Sequence, residues 1–429
     1  MSLRLRSDSP KFSLFVSSLL ESRARVSRRV SALALRIAHM ISVHADKAIM
    51  AYNKKFDNSE ERLLRVATAS SLAGVDIRSL FNLKAAYDRI VNFHSRQLPM
   101  GNFYRDELGA KLGSKWVPLA SVGVYVPGGT ASYFSSVLMS CVPAKIAGVK
   151  SIYLVTPFAR LTNEPLFRAC AAICGVACIY TFGGAQAIAA LALGTNAVAR
   201  VDKIVGPGNA YVAAAKRLLY GAAGTDCIAG PSEAVLIIDR SVDVWGICVD
   251  ASSQLEHDKS ALAVVITRCA SLASEARAKV VKLAAAAPRS HIMRRSWSAF
   301  GISMICCDTA AAASAVKLIA AEHVQVCTRR PLAVLKKLTA VAGGVFAGAN
   351  ASVAIGDYMG GMNHTLPTAT SARFGSGLSV FDFIRRTSMI WLPTRRPLKA
   401  LAAPSIACAL SEGLHGHALS IANKLWFKH

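Results

Sequence analysis

Charged residues are scarce in this chain of 429 residues: they make up 17% of it, whereas hydrophobic residues make up 53%. Disordered chains have the opposite balance, so the composition predicts a protein that buries a large core. The length exceeds what a single core usually organises, and two main domains with smaller appendages are therefore expected.

CxxC pairs are missing altogether, although the sequence contains 11 cysteines. Their spacing gives neither a disulfide framework nor a thiolate zinc motif, and a reducing cytoplasm is the expected compartment. Cys170, Cys174 and Cys178 follow helical spacing among Ala, Ile and Val. Free cysteine behaves as a small apolar residue in such surroundings, so these three are expected to pack in the core rather than bind a metal.

Acidic residues are few: Asp and Glu number 25 against 50 Lys and Arg, which gives a formal net charge of +25. Such an excess is typical of proteins that bind nucleic acid, anionic membranes or acidic substrates. The basic residues are nevertheless scattered as pairs such as Arg28-Arg29, Arg329-Arg330 and Arg385-Arg386, without interleaved aromatic residues. We therefore expect no specific nucleic-acid partner, and attribute the charge to compositional drift of the lineage.

Uninterrupted apolar runs of membrane-spanning length are also missing. The stretch between Arg168 and Arg200 carries no charge, but Gly183-Gly184 followed by Gln186 divides it into a short strand and an alanine-rich helix. No membrane partner is predicted. The first forty residues, rich in Arg and Ser, are compatible with a transit peptide or an amphipathic helix, and the acidic residues among them favour the helix.

Short apolar segments alternate with glycine turns and alanine-rich helices from Trp116 onwards, after a mainly helical beginning, and this alternation predicts parallel α/β lobes. The predicted strands of the first lobe are Val122–Val126, Ile152–Val155, Ile179–Phe182 and Lys203–Val205. Those of the second are Ala234–Ile238, Ala263–Thr267, Ile302–Cys306 and Gly344–Ala347. The chain ends in a mixed tail with a helix around Ser411–Ile421.

The usual nucleotide-binding motifs do not occur: neither GxGxxG nor GxxxxGK[ST] follows any predicted strand. Three glycine-bearing turns instead join a strand to a helix, at Val126–Thr130, Gly183–Gln186 and Gly206–Asn209. Glycine lets a ligand approach the backbone, and a helix N-terminus offers unpaired N–H groups to an anion. One such turn usually only reverses the chain, but three at the carboxyl ends of parallel strands favour a ligand-binding crevice.

Four clusters bring a carboxylate or an amide close to a histidine in the sequence: Gln254–Asp258, Glu322-His323, Asp357–His364 and Glu412–His417. Gln254 and His257 would share one face of a helix and could converge with Asp357 on a cation. A solvated helix face explains the same spacing, and glutamine is an unusual zinc ligand. Glu322 and His323 suit proton transfer, although two polar residues after an alanine-rich stretch are also typical of a helix end.

Longer motifs run in order along the chain. They are YVPGG at Tyr125–Gly129, GGAQAIAAL at Gly183–Leu191, VDKIVGPGNAYV at Val201–Val212, AGPSE at Ala229–Glu233, SQLEHD at Ser253–Asp258, AEH at Ala321–His323, GDYMGGMNHTLPT at Gly356–Thr368, SGLSVFDFIRRTS at Ser376–Ser388 and EGLHGHA at Glu412–Ala418. These motifs resemble those of the histidinol dehydrogenase family, and the resemblance covers essentially the whole chain.

The resemblance implies an α/β enzyme with two incomplete Rossmann-like lobes, parallel sheets, a helical N-terminal region and an extended C-terminal tail. The implied reaction oxidises L-histidinol through L-histidinaldehyde to L-histidine with two NAD⁺, the last step of histidine biosynthesis, and uses one Zn²⁺ per subunit. The implied regions are a helical region packing with the second lobe (1–115), an NAD-binding lobe (116–233), a metal- and substrate-binding lobe (234–374) and a tail (375–429). As in the family, the tail would complete the active site of the partner subunit in a homodimer.

The roles that residues have in the family can be transferred to this chain at the positions where its motifs match. The implied zinc ligands are Gln254, His257, Asp357 and His417, with His415 a bystander, and the implied NAD contacts are Tyr125, Gln186 and Asn209. The implied substrate contacts are Ser232, Gln254, His257, His323, Asp357, His364, Glu412 and His417. Glu322 and His323 occupy the acid–base positions, where His323 would take the alcohol proton and Glu322 would help activate water for the second oxidation.

Three departures from the family pattern leave these groups in place: AAEHV replaces APEHL, DASSQ replaces DLLSQ, and His44-Ala-Asp46 stands where the family has Gly-Asp. Two alternatives remain open. One is a binding protein that keeps the fold and uses its basic surface for nucleic acid or another anionic partner. The other is an NAD- and zinc-dependent dehydrogenase of a different small amino alcohol.

Overall fold

The structure is a computed structural model, and it describes residues 3–6, 12–24, 28–57, 65–66, 74–128, 133–157, 164–228, 230–338 and 341–426. The chain divides into two compact units. Unit 1 comprises residues 1–97 and 119–383, and unit 2 comprises residues 98–118 and 384–429.

The strands are β1 Leu3–Arg6, β2 Arg65–Val66, β3 Asn102–Arg105, β4 Lys111–Pro118, β5 Ser121–Tyr125, β6 Ser151–Val155, β7 Cys178–Tyr180, β8 Lys203–Val205, β9 Gly224–Thr225, β10 Glu233–Ile238, β11 Leu262–Thr267, β12 Gly301–Ile305, β13 His323–Cys327, β14 Gly344–Ala347 and β15 Ile384–Trp391. The helices are α1 Phe12–Ala24, α2 Arg28–Asp57, α3 Ile77–Ser95, α4 Phe134–Ala147, α5 Pro165–Cys174, α6 Gly184–Leu193, α7 Ala210–Leu219, α8 Val244–Leu255, α9 Ala270–Ala286, α10 Ser290–Phe300, α11 Thr309–Ile319, α12 Pro331–Leu338, α13 Val353–Tyr358, α14 Arg395–Ser411 and α15 His415–Trp426.

The first lobe of unit 1 is built on a sheet of order β2-β7-β6-β5-β8-β9. Its strands run parallel except for β2, which pairs antiparallel with β7. The strands are short and apolar, and helices α6 and α7 bury alanine-rich faces against them. Both faces of a parallel sheet must be covered, which explains why this region reads as an almost continuous apolar sequence.

The second lobe of unit 1 is built on a fully parallel sheet of order β1-β12-β11-β10-β13-β14. Strands β10, β11 and β13 are buried along their whole length. The strand order reverses between β10 and β13. Strands β11 and β12 lie on one side of β10, and strands β13 and β14 lie on its other side. The predicted fold class of two parallel α/β lobes is confirmed.

The N-terminal helices divide between the two lobes. Strand β1 pairs with β12, and α1 packs on the second lobe through Val16 and Leu20. Helix α2 packs on the first lobe instead, through Ile37, Ile41 and Ile49. The expectation that residues 1–115 pack with the second lobe thus describes α1 but not α2.

Helix α2 is kinked at Ala45, whose backbone has φ 45° and ψ −125°. An L-amino acid is strained in this region, which glycine adopts readily. The strained residue belongs to the His44-Ala-Asp46 departure noted above, and the adjacent Asp46 carboxylate accepts a hydrogen bond from the Ala197 N–H at 3.4 Å.

Unit 2 is an antiparallel sheet of order β15-β4-β3 together with helices α14 and α15. The predicted tail helix Ser411–Ile421 is wrong at its start, because α14 ends at Ser411 and a turn separates it from α15. Gly413 adopts φ 72° in this turn, a conformation that ends a helix at low cost. Nowhere in the described part of the chain is a helix both long and apolar enough to cross a membrane.

Candidate active site

Glu322 and His323 lie at the amino end of β13, between β10 and the edge strand β14 of the second sheet. Helix α11 ends at Ile319, and the left-handed residue Ala320 turns the chain into the strand. Residue His323 pairs in register with Ala234 of β10 and Gly344 of β14. Glu322 and His323 are only 8% and 4% exposed. The alternative that these two residues form a helix end is wrong, because the helix ends at Ile319 and His323 begins a strand.

The backbone of Glu233 connects the two side chains. Its N–H donates to Glu322 Oε2 at 3.1 Å, and its carbonyl oxygen lies 3.2 Å from His323 Nδ1. A carbonyl oxygen can only accept, so Nδ1 carries the proton and Nε2 keeps its lone pair. Burial lowers the pKa of His323 to about 4, which leaves the ring neutral at physiological pH. His323 is thus positioned as a base through Nε2.

Burial has the opposite effect on Glu322 and raises its pKa well above the ordinary value for glutamate. The N–H of Glu233 opposes this shift, whereas the negative charges of Glu233 and Asp357 reinforce it. A buried carboxyl group with a raised pKa can hold a proton near neutral pH and exchange it with a substrate or with water. The Glu322 carboxylate lies 3.6 Å from His323 Nδ1.

Arg23 of α1 anchors this arrangement, and nothing in its local sequence indicated a role. Its Nη1 lies 2.5 Å from Glu233 Oε1, and both side chains are almost fully buried. The same guanidinium donates to the carbonyl oxygens of Ser260, Pro231 and Ser232 at 3.0, 3.2 and 3.3 Å. Burial raises the pKa of Glu233 while Arg23 lowers it. The predicted contact residue Ser232, immediately before β10, is therefore held through its backbone.

Gln254 and His257 lie at the end of α8, but not on one helical face as predicted. The helix ends at Leu255, so His257 lies in the following turn, where its N–H bonds to the Gln254 carbonyl at 3.4 Å. Gln254 is 2% exposed. His257 is exposed, but partial desolvation of its ring still lowers its pKa. The charge of His257 contributes to the lowered pKa of His323, which indicates that His257 lies near the amino end of β13.

Asp357 lies in α13 and is joined to His364 in the following loop. The Asp357 carbonyl lies 3.3 Å from His364 Nδ1, and His364 Nε2 lies 3.3 Å from the Ser136 hydroxyl of α4. Burial raises the pKa of Asp357 to about 7 and lowers that of His364 to about 4. Desolvation is the only cause of the Asp357 shift. This partly buried carboxylate therefore lacks the compensation that a cation would supply among the residues that the structure describes.

A polar network behind these residues holds α8, β13 and α13 together. Asp250 of α8 accepts hydrogen bonds from Gln325 Nε2 at 2.7 Å and from the Ser352 hydroxyl at 2.9 Å. Gln325 lies two residues after His323 in β13, and Ser352 immediately precedes the helix of Asp357. The network thereby fixes the helices that carry Gln254 and Asp357 relative to the strand of His323.

The candidate metal ligands of unit 1 form only part of a metal site. Among the residues that the structure describes, no group of three or more His, Cys, Asp or Glu side chains has metal-binding geometry. His257 and Asp357 nevertheless both contribute donors that zinc accepts, and Asp357 lacks a compensating positive charge. Glu412 and His417 belong to unit 2, where both are exposed around the turn between α14 and α15, as is His415.

The first lobe presents its three glycine turns at the carboxyl ends of β5, β7 and β8. A Cβ atom at Gly128 or at Gly183 would lie 2.6 Å from Pro157 Cγ, and one at Gly206 would lie 2.1 Å from the Tyr125 carbonyl oxygen. The loops therefore converge closely because they lack side chains at these positions. Gly129 and Thr130, which belong to the first predicted turn, lie outside the described residues.

The three predicted dinucleotide contacts surround these turns. The Tyr125 hydroxyl accepts a hydrogen bond from the Gly184 N–H at 3.2 Å, and Gln186 is buried in the first turn of α6. Asn209 caps α7 by accepting from the N–H groups of Tyr211 and Val212 at 3.0 and 3.1 Å. All three residues lie at the edge of the sheet where parallel α/β proteins bind their ligands.

Comparison with known proteins gives one consistent result. The family model described as histidinol dehydrogenase matches residues 20–425. The chain is 42% identical to histidinol dehydrogenase of Rhodopseudomonas palustris and 43% identical to that of Bradyrhizobium diazoefficiens, over 99% of each chain in both cases. The crystal structure of histidinol dehydrogenase from Elizabethkingia anophelis superposes with a TM-score of 0.91 at 28% identity, and covers 99% of this chain and 98% of the other.

Proposed function

The chain belongs to the histidinol dehydrogenase family, and we propose that it oxidises L-histidinol through L-histidinaldehyde to L-histidine with two NAD⁺. The observation that carries this proposal is the buried pair of Glu322 and His323, in which His323 is neutral and has a free Nε2. The reaction needs a base that is unprotonated at neutral pH and a second group that handles the proton of water. The eleven cysteines are all free, which fits a reducing cytoplasm.

In the first oxidation His323 Nε2 takes the hydroxyl proton of the alcohol while the hydride leaves its carbon, which gives the aldehyde. In the second, Glu322 in its ionised form accepts a proton from the water that adds to the aldehyde carbon, and its raised pKa makes it a stronger base than an ordinary carboxylate. The hydrate then loses a hydride in turn. Two hydrides and the accompanying protons leave in total, as the conversion of an alcohol to a carboxylic acid requires. NAD⁺ supplies the hydride acceptor in both steps.

Residues of the first lobe would hold NAD⁺, with Tyr125, Gln186 and Asn209 as its contacts. Two features support this assignment: the glycine turns leave the backbone accessible, and the N-termini of α6 and α7 favour a pyrophosphate. Gln254, His257 and Asp357 would bind Zn²⁺ together with His417. Bound zinc supplies a Lewis acid that orients the amino alcohol. The partly buried carboxylate of Asp357, whose pKa only desolvation shifts, supports a cation at this position.

We further propose a homodimer in which Glu412 and His417 enter the partner's site, where His364 and Ser232 contact the substrate. Unit 2 exposes large apolar side chains to an extent that is unusual for a monomer. The most exposed are Met100 at 91%, Trp426 at 82%, Leu419 at 71%, Ile390 at 64% and Trp391 at 58%. Burial of these side chains against a second copy would stabilise such a dimer.

The activity is tested with purified zinc-loaded protein, by measuring NADH formed per L-histidinol consumed. About two equivalents are expected, because each oxidation releases one hydride. An analogue lacking the imidazole, assayed in parallel, tests the alternative substrate class: equal rates would contradict histidinol as the substrate. His323→Ala should abolish the first oxidation, and Glu322→Gln should slow mainly the second. Unchanged rates in both half-reactions would refute the assigned roles.

Shared active sites are tested by mixing two inactive variants, His323→Ala and His417→Ala, and allowing the subunits to exchange. Each mixed dimer would contain one site with His323 from one subunit and His417 from the other, both unmodified. Random exchange should therefore restore about a quarter of the wild-type activity. If His417 served its own subunit, every site would lack one histidine and no activity would return.

A further inference from the structure

The carboxyl edge of the second sheet holds a large cleft that the proposed reaction does not use. The cleft has a volume of about 1500 Å³ and is lined by the residues that follow four neighbouring strands, β12, β11, β10 and β13. His323 begins β13 and Thr328 follows its last residue, so the cleft lies at the opposite end of this strand from the active site. A strand of this length separates the two by about 16 Å.

This position is the one where open parallel sheets bind ligands. The strand order reverses between β10 and β13, and the loops after these two strands diverge to leave a crevice. The loops meet in one contact across the crevice, in which the Arg329 N–H donates to Asp239 Oδ2 at 3.0 Å. The first lobe is proposed to use its own carboxyl edge for a dinucleotide, whereas in the second lobe the acid–base pair lies at the amino edge. The second crevice therefore remains available.

The cleft is strongly basic. Its lining includes four exposed arginines, Arg240, Arg268, Arg329 and Arg330, one or two from each of three loops. Helices α9, α11 and α12 also begin at its wall, and their N-termini add positive potential. The pair Arg329-Arg330 thus belongs to a concave site rather than to a scattered surface.

The two carboxylates in the lining offset only part of the charge of the four arginines, and their oxygens already accept backbone hydrogen bonds. Asp239 accepts hydrogen bonds from the N–H groups of Ser241 and Arg329, at 2.9 and 3.0 Å. Asp308 caps α11 by accepting from the Ala311 N–H at 2.7 Å. The hydroxyl oxygen of Thr328, also in the lining, is buried and has no hydrogen-bond partner among the described residues. A donor of this kind is suited to an anionic oxygen.

From this geometry we propose that the cleft binds a phosphorylated small molecule of nucleotide size. Guanidinium groups and helix N-termini recognise phosphate oxygens, and the aliphatic floor formed by Ile238, Ile266 and Val334 would accept an apolar ring. None of the described lining residues is aromatic, which argues against a single-stranded nucleic acid, since its bases are usually stacked on aromatic side chains.

A cysteine in the wall offers a direct report of occupancy. Cys269 precedes α9, and Arg240 donates to its Sγ from Nε at 3.4 Å and from Nη2 at 3.3 Å. Hydrogen bonding from Ser271, reinforced by backbone N–H groups and Arg240, lowers the pKa of Cys269 to about 6. The thiolate should react readily with iodoacetamide at neutral pH. A phosphate that engages Arg240 and fills the cleft should slow this reaction.

The experiment uses the full chain in saturating NAD⁺, so that the first lobe is already occupied. ADP and inorganic pyrophosphate are titrated by calorimetry, and alkylation of Cys269 is followed by mass spectrometry. Both ligands should protect Cys269; stronger protection by ADP would indicate that the floor binds the base. Arg329→Ala with Arg330→Ala should weaken binding about tenfold or more. The matched control, Arg294→Ala with Arg295→Ala in exposed positions of α10, should change it less than about twofold.

Three results would overturn the proposal. The first is that neither ADP nor pyrophosphate binds or protects Cys269 when NAD⁺ is saturating. The second is an equal loss of binding in the two double variants, which would indicate a general effect of net charge. The third is tighter binding of a single-stranded oligonucleotide than of ADP, lost in the Arg329/Arg330 variant, which would reassign the cleft to nucleic acid.

Discussion

Replacing Arg23 by Met tests the proposal that a buried ion pair positions the acid–base pair. The substitution removes the charge but keeps an apolar side chain of similar length, so that Glu233 is left buried without its partner. It also removes donors to the carbonyl oxygens of Ser260, Pro231 and Ser232. Breaking a buried pair by removing one member typically costs about 3–5 kcal/mol.

The expected change in thermal stability follows from the size of the chain. Unfolding entropy is about 2.1 cal/mol/K per residue, or about 0.9 kcal/mol/K for a chain of this length. The loss should therefore lower the midpoint of thermal unfolding by about 3–6 °C, measured by differential scanning calorimetry. Because Glu233 positions both Glu322 and His323 through its backbone, kcat should fall about tenfold even below the unfolding range.

The pH dependence distinguishes an uncompensated charge from simple loss of packing. Without Arg23, burial should raise the pKa of Glu233 further above its value in the unfolded chain. A carboxyl group with a raised pKa in the folded state is destabilising above that pKa, and the cost disappears as pH falls and the group takes up a proton. The difference between variant and wild type should therefore be larger at pH 8 than at pH 5.

A second substitution and a control complete the test. Glu233→Gln in the Arg23→Met background removes the buried charge and should restore most of the lost stability. Arg295→Met, on the exposed face of α10, should leave the midpoint within about 1 °C. A stability difference that does not vary with pH, together with no recovery in the double variant, would refute the ion-pair reasoning.

Four further outcomes are expected. Ala45→Gly should raise stability by about 1 kcal/mol in calorimetry, because it relieves a positive-φ strain of about 1–3 kcal/mol at a smaller entropic cost. Lys216→Met should raise the KM for NAD⁺ and lower the midpoint of thermal unfolding, because it leaves buried Asp226 without its ion pair at 2.6 Å. Adding Asp226→Asn to this variant should partly restore both quantities. Asp357→Asn should reduce bound zinc, measured by elemental analysis after dialysis, by about tenfold or more. The alkylation rate of Cys269 should be half-maximal near pH 6, well below the value for free cysteine.

Most strands of the two parallel sheets could be predicted from the sequence because they are apolar and lie between glycine turns. Lys203–Val205 and Gly344–Ala347 were predicted with the bounds that the structure has. Strand β13 was missed, although it carries His323. Its sequence HVQVC contains two polar residues, and their burial is stabilised by groups distant in sequence, such as Asp250 against Gln325 at 2.7 Å. Local patterns cannot reveal that compensation.

The sheet of unit 2 was missed for a related reason. Strand β15 pairs antiparallel with β4 from Ile384 opposite Pro118 to Trp391 opposite Lys111. The two strands are separated by more than half of the chain, and most of β15 is exposed, so it lacks the alternation of apolar and polar residues that predicts a half-buried strand. Only the tertiary fold defines this pairing.

The residues of the candidate site also divide into those that the sequence could predict and those that it could not. Resemblance of motifs identified Glu322, His323 and the proposed metal ligands one position at a time. It did not identify Arg23, because an arginine in an amphipathic helix is usually solvated and this one is buried against Glu233, 210 residues away. Glu233 itself lies inside the AGPSE motif, but its function depends on its backbone, which no side-chain pattern can indicate.

The placement of the acid–base pair at the amino edge of its sheet has a physical reason. At the beginning of a parallel strand, the first N–H group can lie beyond the last carbonyl that the neighbouring strand offers, and here the N–H of Glu233 donates instead to the Glu322 carboxylate at 3.1 Å. The carbonyl of the same residue fixes the His323 tautomer at 3.2 Å. One peptide segment thus supplies both the donor that the acid needs and the acceptor that the base needs. A carboxyl edge with glycine turns favours anionic ligands instead, which is why we assign the dinucleotide to that edge of the first lobe and the phosphorylated ligand to that edge of the second.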